Sequence, residues 1–254
     1  MNISLITVTF NAGHTIARTL ESVARQDCRY FEHVIIDGQS TDDTLRFVEK
    51  YKSDNPEMNV VVVSEPDKGL YDAMNKGLAM AKGKFVCFLN AGDKLHDEST
   101  LSTINGIIDS KTKEGCEPAV IYGETDIVDD EGRFISHRRH KAPEKLTWKS
   151  FKKGMLVCHQ SFYANKAVVG DYDLTYRFSA DFDWCVKALK TAYEKKMPVV
   201  NSNTVLTDYL SEGMTTKNHK KSLKERFNIM SKHYGWFTTV FCHIVFTVKA
   251  IIGK

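Results

Sequence analysis

Four places in the first half of the chain put polar or acidic side chains directly behind an apolar run. "ISLITVTF" (3–10) carries Thr9 near its end and is followed by Asn11. "HVIIDG" (33–38) ends in Asp37 and Gly38, with Ser40 just beyond. "NVVVVSE" (59–65) leads through Glu65 into Pro66, Asp67, Lys68 and Gly69. "FVCFL" (85–89) runs into Asn90, Ala91, Gly92 and Asp93. A single Asp or Asn at such a point is accounted for by turn and cap preferences. Its recurrence behind all four runs asks for a shared purpose. Several acids at one edge repel a bare phosphate. They suit the hydroxyl and N–H groups of a sugar or a base. They also suit a hard cation such as Mg²⁺ or Mn²⁺, which takes one or two carboxylates and completes its shell with substrate phosphates.

The apolar runs must then be strands whose carboxyl ends meet at one edge. Helical patterns lie between them at 12–26, 40–51 and 69–83. The second has Ser40 or Thr41 as N-cap and acids in its first turn; the third ends at Gly83. This alternation predicts an α/β fold, a mainly parallel central sheet flanked by helices on both faces. Ligands of such sheets bind outside the carboxyl ends of the strands. With Ser40 or Thr41 serving as cap, Asp37 is free for a ligand, while Asp67 also suits the start of the third helix. No GxGxxG follows the first strand, where "TFNAGHT" stands, which disfavours a dinucleotide dehydrogenase. No GxxxxGK[ST] loop occurs either.

The second half is less regular. Residues 119–134 predict a strand and a hairpin turn at Asp130-Glu131-Gly132. A strand is expected over 155–165, an amphipathic helix over 182–194 and a short strand over 198–201. No repeat or linker is visible. The expected division is a catalytic domain over 1–216 and a helical extension over 217–254. In the extension, "KNHKKSLKER" (217–226) holds five Lys or Arg against one Glu. "WFTTVFCHIVFTVKAII" (236–252) has a wide apolar face at helical spacing, with Thr239, Cys242, His243 and Lys249 on the other. Its length is marginal for a bilayer span, and His243 and Lys249 argue against one. The helix either lies in a membrane interface beside the basic patch, or packs on the catalytic domain or on a second subunit of a homodimer.

Composition sets outer bounds. The 254 residues are 42% hydrophobic and 26% charged, ordinary for a globular protein. A net charge of +3 is too small to imply a nucleic-acid partner. None of the six cysteines forms a CxxC pair, and Cys87 sits inside an apolar strand as core filler. "MNISLITVTFN" lacks a basic n-region and reads as the first core strand, so a cytoplasmic, reducing location is expected.

The segments "ITVTFNAG", "HVIIDGQSTDDT", "VSEPDKGLYDAMNKGLAMAKGKFVCFLNAGD", "CHQSFYAN", "FSADFDW" and "SEGMTT" together resemble the family 2 glycosyltransferases of the GT-A fold. Within them the chain resembles bacterial polysaccharide and colanic-acid-type enzymes. The resemblance spans roughly residues 3 to 216, and the stretch 63–93 is its most specific part. It implies an inverting transfer from a nucleotide-diphosphate sugar, usually a UDP-sugar, to a saccharide or lipid-linked acceptor in surface polysaccharide synthesis. Thr9 and Asn11 would lie near the nucleoside, with Gly38 beside them. Asp37 would accept from the base N–H, and Asp67, Tyr71 and Asn75 would line the base and ribose region. "NAGD" matches the metal motif: Ala91 and Gly92 let backbone approach a metal-bound pyrophosphate, and Asp93 coordinates Mn²⁺ or Mg²⁺. Asn90 stands where many members have Asp, leaving one strong carboxylate ligand. The resemblance puts His159 and Gln160 beside the acceptor and the donor phosphates. The family's Glu-Asp pair is Ala180-Asp181 here, which points to Asp181 as general base with Asp183 as competitor; against both, Ser179 caps this helix and the acids complement its dipole. "HRRHK" (137–141) is a solvated basic face or a contact for phosphates. A lipid-linked acceptor implies a peripheral place at the inner face of the membrane through 217–252.

Two other readings remain open on the sequence. A sugar-phosphate nucleotidyltransferase carries a GxGTRL-type loop after its first strand, which "NAGHTIAR" does not match. A catalytically inactive nucleotide-sugar-binding subunit draws on the missing first acid of both "NAGD" and "SADFD".

Overall fold

The structure is a computed structural model and describes residues 1–211 and 219–252. The expected boundary at 216/217 and all but the first residue of "SEGMTT" lie outside the described residues. The strands are β1 (Ile3–Thr9), β2 (Phe31–Asp37), β3 (Asn59–Ser64), β4 (Phe85–Phe88), β5 (Lys94–Leu95), β6 (Val120–Val128), β7 (Phe134–His137), β8 (Phe162–Asn165) and β9 (Val199–Leu210). They form one sheet in the order β3-β2-β1-β4-β8-β6-β9-β5, with β7 paired to β6. The first four strands run parallel, as does the β6–β9 pair, while β8 is antiparallel to both its neighbours.

Side-chain alternation explains the two cores. Successive residues of a strand face opposite sides of the sheet. Ile3, Leu5, Phe85 and Cys87 pack on one side with helices α1 (Ile16–Ala24), α2 (Thr44–Asp54) and α4 (Thr100–Lys113). Ile6, Val8, Val86 and Phe88 pack on the other with α3 (Leu70–Met80), α5 (Ala180–Glu194) and α6 (His219–Tyr234). A last helix, α7 (Trp236–Ile252), follows α6 after Gly235. Strands buried on both faces need continuous apolar runs, which is why β1, β2 and β4 were legible.

Several local expectations are corrected. Residues 155–165 do not form one strand: a 3₁₀ turn, His159–Ser161, precedes β8. The turn's polar side chains bond across the sheet's end, Gln160 to Asp93 of the β4–β5 loop and Ser161 to Thr125 of β6. The strand expected at 198–201 continues to Leu210. "NSN" reads as a breaker, but Asn203 takes a left-handed φ of 56° where the register with β6 shifts, and pairing resumes beyond it. Helix α4 went unanticipated. Helix α2 begins after Asp43, so neither Ser40 nor Thr41 caps it. Ser179 does stand at the start of α5, yet its hydroxyl makes no cap and pairs with Ser222 of α6 at 2.9 Å.

Candidate functional site

The carboxyl ends of β1, β3 and β4 open into a cleft of about 680 Å³, closed on its far side by the His159 turn, the start of α5 and the end of β9. That volume suits a small organic ligand. Of the residues expected from sequence, Thr9, Asp67, Tyr71, Asn90, Asp93, His159, Gln160 and Asp181 line it.

Helix α5 delivers Asp181 from its first turn, and α3 delivers Tyr71 from its own. The Tyr71 hydroxyl donates to Asp181 Oδ1 at 3.1 Å, while His159 Nδ1 lies 3.4 Å from Oδ2. Asn90 Nδ2 is 3.3 Å from His159 Nε2. One chain of contacts thus links the β4 loop to the carboxylate. Burial pushes the Asp181 carboxyl up, but the hydrogen bond and charge of His159, with the charge of Arg226, outweigh it and hold the group below its ordinary range. Burial and the neighbouring Asp181 charge keep the Tyr71 phenol protonated, far above its ordinary range. Asp183 points elsewhere: it is 1% exposed and bonded to His233 of α6 at 2.7 Å, with Lys187 at 2.6 Å. The geometry separates the two acids that spacing left open, and only Asp181 faces the cleft.

Asp93 is 4% exposed, and its two oxygens accept from Gln160 Nε2 (2.8 Å) and Leu210 N (3.0 Å). Burial pushes its carboxyl up to about 6, against the charge-stabilising Leu210 and Gln160 bonds. A carboxylate has about four lone-pair positions, so ligand capacity remains. Asn90 Oδ1 is buried without a hydrogen-bond partner. One carboxylate and one unsatisfied amide oxygen fit a hard cation that draws its other ligands from phosphate and water.

Asn11, Asp37, Gly38, Asn75 and Gly92 do not line the cleft, and each has work within the scaffold. Asp37 is fully buried, accepting from Ser40 N at 2.9 Å and from the Ser40 and Ser64 hydroxyls at 2.5 and 2.6 Å. Ser40 does not leave Asp37 free by capping α2; it bonds to Asp37 instead. Asn11, at φ 47°, accepts from Thr41 N. Gly38 makes room for Asp67, whose Oδ2 would lie 2.5 Å from an added Cβ. Asn75 pairs with the backbone of Tyr172 in both directions. Gly92 has φ +100°, and a Cβ there would meet Leu210 at 2.7 Å. Its small size serves loop packing.

Two cations also line the cleft, Arg138 and Arg226. Arg138, from "HRRHK", donates to the carbonyls of Met155 (2.6 Å) and Leu156 (3.0 Å). Arg226 comes from α6, and its Nε is buried with no partner. Helix α6 is held at the start of α5 by Glu225, which accepts from Arg177 N (2.9 Å) and Phe178 N (2.8 Å). The basic run was read as a surface patch; tertiary docking turns one of its members inward.

Comparison with known proteins agrees with this arrangement. The model of the family "Glycosyl transferase family 2" matches residues 4–169. A "PGL/p-HBAD biosynthesis glycosyltransferase" of Mycobacterium bovis (strain BCG / Pasteur 1173P2) is 32% identical over 199 residues, covering 75% of this chain and 72% of the relative. The Escherichia coli "UDP-Glc:alpha-D-GlcNAc-diphosphoundecaprenol beta-1,3-glucosyltransferase WfgD" is 22% identical over 237 residues, covering 90% and 85%. Among solved structures, S. aureus TarS 1-349 in complex with UDP superposes with a TM-score of 0.68 at 22% identity, over 91% of this chain. The chain spans 64% of that fragment. The mannosyltransferase PcManGT from Pyrobaculum calidifontis, in complex with GDP-Man and Mn²⁺, gives 0.61 at 16% identity, over 100% of this chain and 76% of its own. These superpositions show the expected GT-A fold with its carboxyl-terminal helices.

Proposed function

The chain belongs to glycosyl transferase family 2 and is a glycosyltransferase of glycan biosynthesis, and on that footing we propose that it is an inverting transferase using a UDP-sugar, with Asp181 as general base. The observation that carries the proposal is the position of Asp181: a carboxylate facing the cleft, held toward its charged form and contacted by both Tyr71 and His159. UDP is supported by its presence in the TarS complex and by the UDP-Glc donor in the name of WfgD.

In this mechanism the base sits at the mouth. Phe10, 63% exposed beside Asp67 and Thr9, offers a ring face for stacking. The Asp67 carboxylate accepts from the imide N–H of uracil. Arg226 and Arg138 face the diphosphate. The acceptor hydroxyl, approaching from the Asp181 side, attacks the anomeric carbon. Its O–H proton passes to Asp181, the new C–O bond forms, and the bond to the diphosphate oxygen breaks with inversion. His159 holds Asp181 in its charged form until that moment and lies between it and Asn90. A divalent cation, Mn²⁺ or Mg²⁺, would be held by Asp93 and Asn90 and would neutralise charge on the departing diphosphate. Nothing in "NAGHTIAR" or the family match favours a nucleotidyltransferase. The test is nucleotide release from a panel of UDP- and GDP-sugars with a saccharide or lipid-linked acceptor, the product anomer read by NMR. Release of UDP with an inverted linkage is expected; a retained linkage would overturn the mechanism.

The carboxyl-terminal helix supports a place at a membrane. Thr239 is fully buried and Cys242 packs on the core, so these two residues of the face read as polar turn inward. The apolar face turns outward: Trp236 is 57% exposed, Phe237 84% and Phe241 68%. It continues into a shallow groove of about 320 Å³ between α6 and α7, lined by Phe227, Val240, Ile244 and Val248. Lys220, Lys221 and Lys224 are exposed on α6. Among the described residues no helix is long and apolar enough to cross a membrane. An apolar stripe with cations nearby fits the interface of an anionic leaflet, where a lipid-linked acceptor resides. Co-sedimentation with phosphatidylglycerol vesicles is expected, with roughly tenfold weaker binding for Phe237→Glu with Phe241→Glu. Unchanged binding of that variant, or a concentration-dependent dimer without vesicles, would reject the membrane in favour of another occupant.

A further inference from the structure

A second polar cluster lies where β5, β9, β6 and β7 come together. Asp208 shares its face of β9 with Leu206, which packs in the core with α1 and α4, and Asp126 is its register neighbour on β6. The strand register sets Lys94, Asp208, Asp126 and His137 side by side across β5, β9, β6 and β7. Both aspartates are 5% exposed. Two carboxylates placed as register neighbours repel unless cations intervene.

Each carboxylate commits one oxygen outward. Asp208 Oδ2 pairs with Lys94 Nζ at 2.9 Å, and Asp126 Oδ1 with His137 Nδ1 at 2.7 Å. The inner side is closed by His96, whose Nδ1 is 2.6 Å from Asp208 Oδ1. One ligand atom from each of His96, Asp126 and Asp208 lies within 4.8 Å of the others. Ligands held from behind by an outer donor are the usual form of a metal site. An imidazole nitrogen with two carboxylates favours a first-row ion such as Zn²⁺ over Mg²⁺ or Ca²⁺. His96, 35% exposed, gives the ion a route in.

We propose that His96, Asp126 and Asp208 bind a divalent transition-metal ion of the Zn²⁺ class, with Lys94 and His137 as the outer partners that orient the two carboxylates. The ion replaces the contact between His96 and Asp208. It ties β5, which follows the Asn90–Asp93 loop directly, to β6 and to β9, whose Leu210 N–H holds Asp93. The site is structural and independent of the transfer reaction.

The test uses the full chain, stripped with EDTA, reloaded with Zn²⁺, desalted and assayed for metal content and melting temperature. The wild type and Asp93→Asn are expected to retain one equivalent and melt higher with it. His96→Gln and Asp126→Asn are expected to retain none and to show no rise. No retained equivalent in the wild type would overturn the site, as would its persistence in both variants or its loss in Asp93→Asn. Should a variant fail to fold, Co²⁺ loading of the wild type decides. Strong ligand-field absorption marks a low-coordinate His/carboxylate site, and the weak bands of hydrated Co²⁺ would overturn it.

Discussion

Asp181→Asn is expected to lower kcat by roughly 10²–10⁴-fold, the range in which positioned proton transfer contributes, while leaving the affinity for UDP unchanged. The substitution keeps the size of the side chain and its acceptor toward Tyr71, which donates at 3.1 Å. It removes the charge that His159 stabilises and the carboxylate proposed to take the acceptor's proton. Asp183→Asn should behave differently. That carboxylate is bonded to His233 and Lys187, so its loss unties α6 from α5 and shows first as a lower melting temperature. If Asp181→Asn transferred sugar at the parent rate, the base assignment would fail; if the parent itself bound donor without turnover, the chain would be a binding subunit.

Arg226→Ala is expected to cost roughly 10²–10³-fold in kcat, comparable to removal of one preorganised donor to a developing negative charge. Its Nε is buried and unpartnered. The residue is half-buried, and an N–H left unpaired in that position gains a charge-assisted hydrogen bond when a diphosphate oxygen reaches it. Arg226→Lys should recover only part of the loss, because a point charge does not replace the guanidinium fork. Steady-state kinetics with a UDP-sugar separate the outcomes. A change confined to KM for the acceptor would place Arg226 on the acceptor side of the cleft and contradict its role toward the diphosphate.

The fold was legible where burial leaves a strong pattern. Strands β1, β2 and β4 are apolar on both faces, and the loops behind them are polar, so the strand ends and the Asn90–Asp93 loop could be placed in advance. Residues whose surroundings are assembled by distant segments were not. Asp37 stands at the right strand end, but it is buried outside the cleft with Ser40 and Ser64 bonded to its oxygens, and strand spacing alone does not show that. Asp181 and Asp183 share a helix turn in sequence, and only the docking of α6 against Asp183 tells them apart. Arg226 lies inside a run that reads as a basic patch, and only the docking of Glu225 on Arg177 N and Phe178 N turns it toward the cleft. The polarity of α7 was read correctly as amphipathic, yet its orientation followed from Gly235 and the packing of Thr239, which periodicity does not encode.

The most direct test is the melting temperature of the full chain with UDP, GDP, CMP or dTDP, each with Mn²⁺ or with EDTA. Ligand at about 100 times its Kd should stabilise the fold by roughly 2.7 kcal/mol. A rise is expected with UDP and Mn²⁺ that EDTA and Asp93→Ala both diminish. The cation-dependent part should fade as the pH falls through about 6, where Asp93 takes up its proton. A rise with GDP alone would contradict the donor assignment, and no rise with any nucleotide would contradict the site itself.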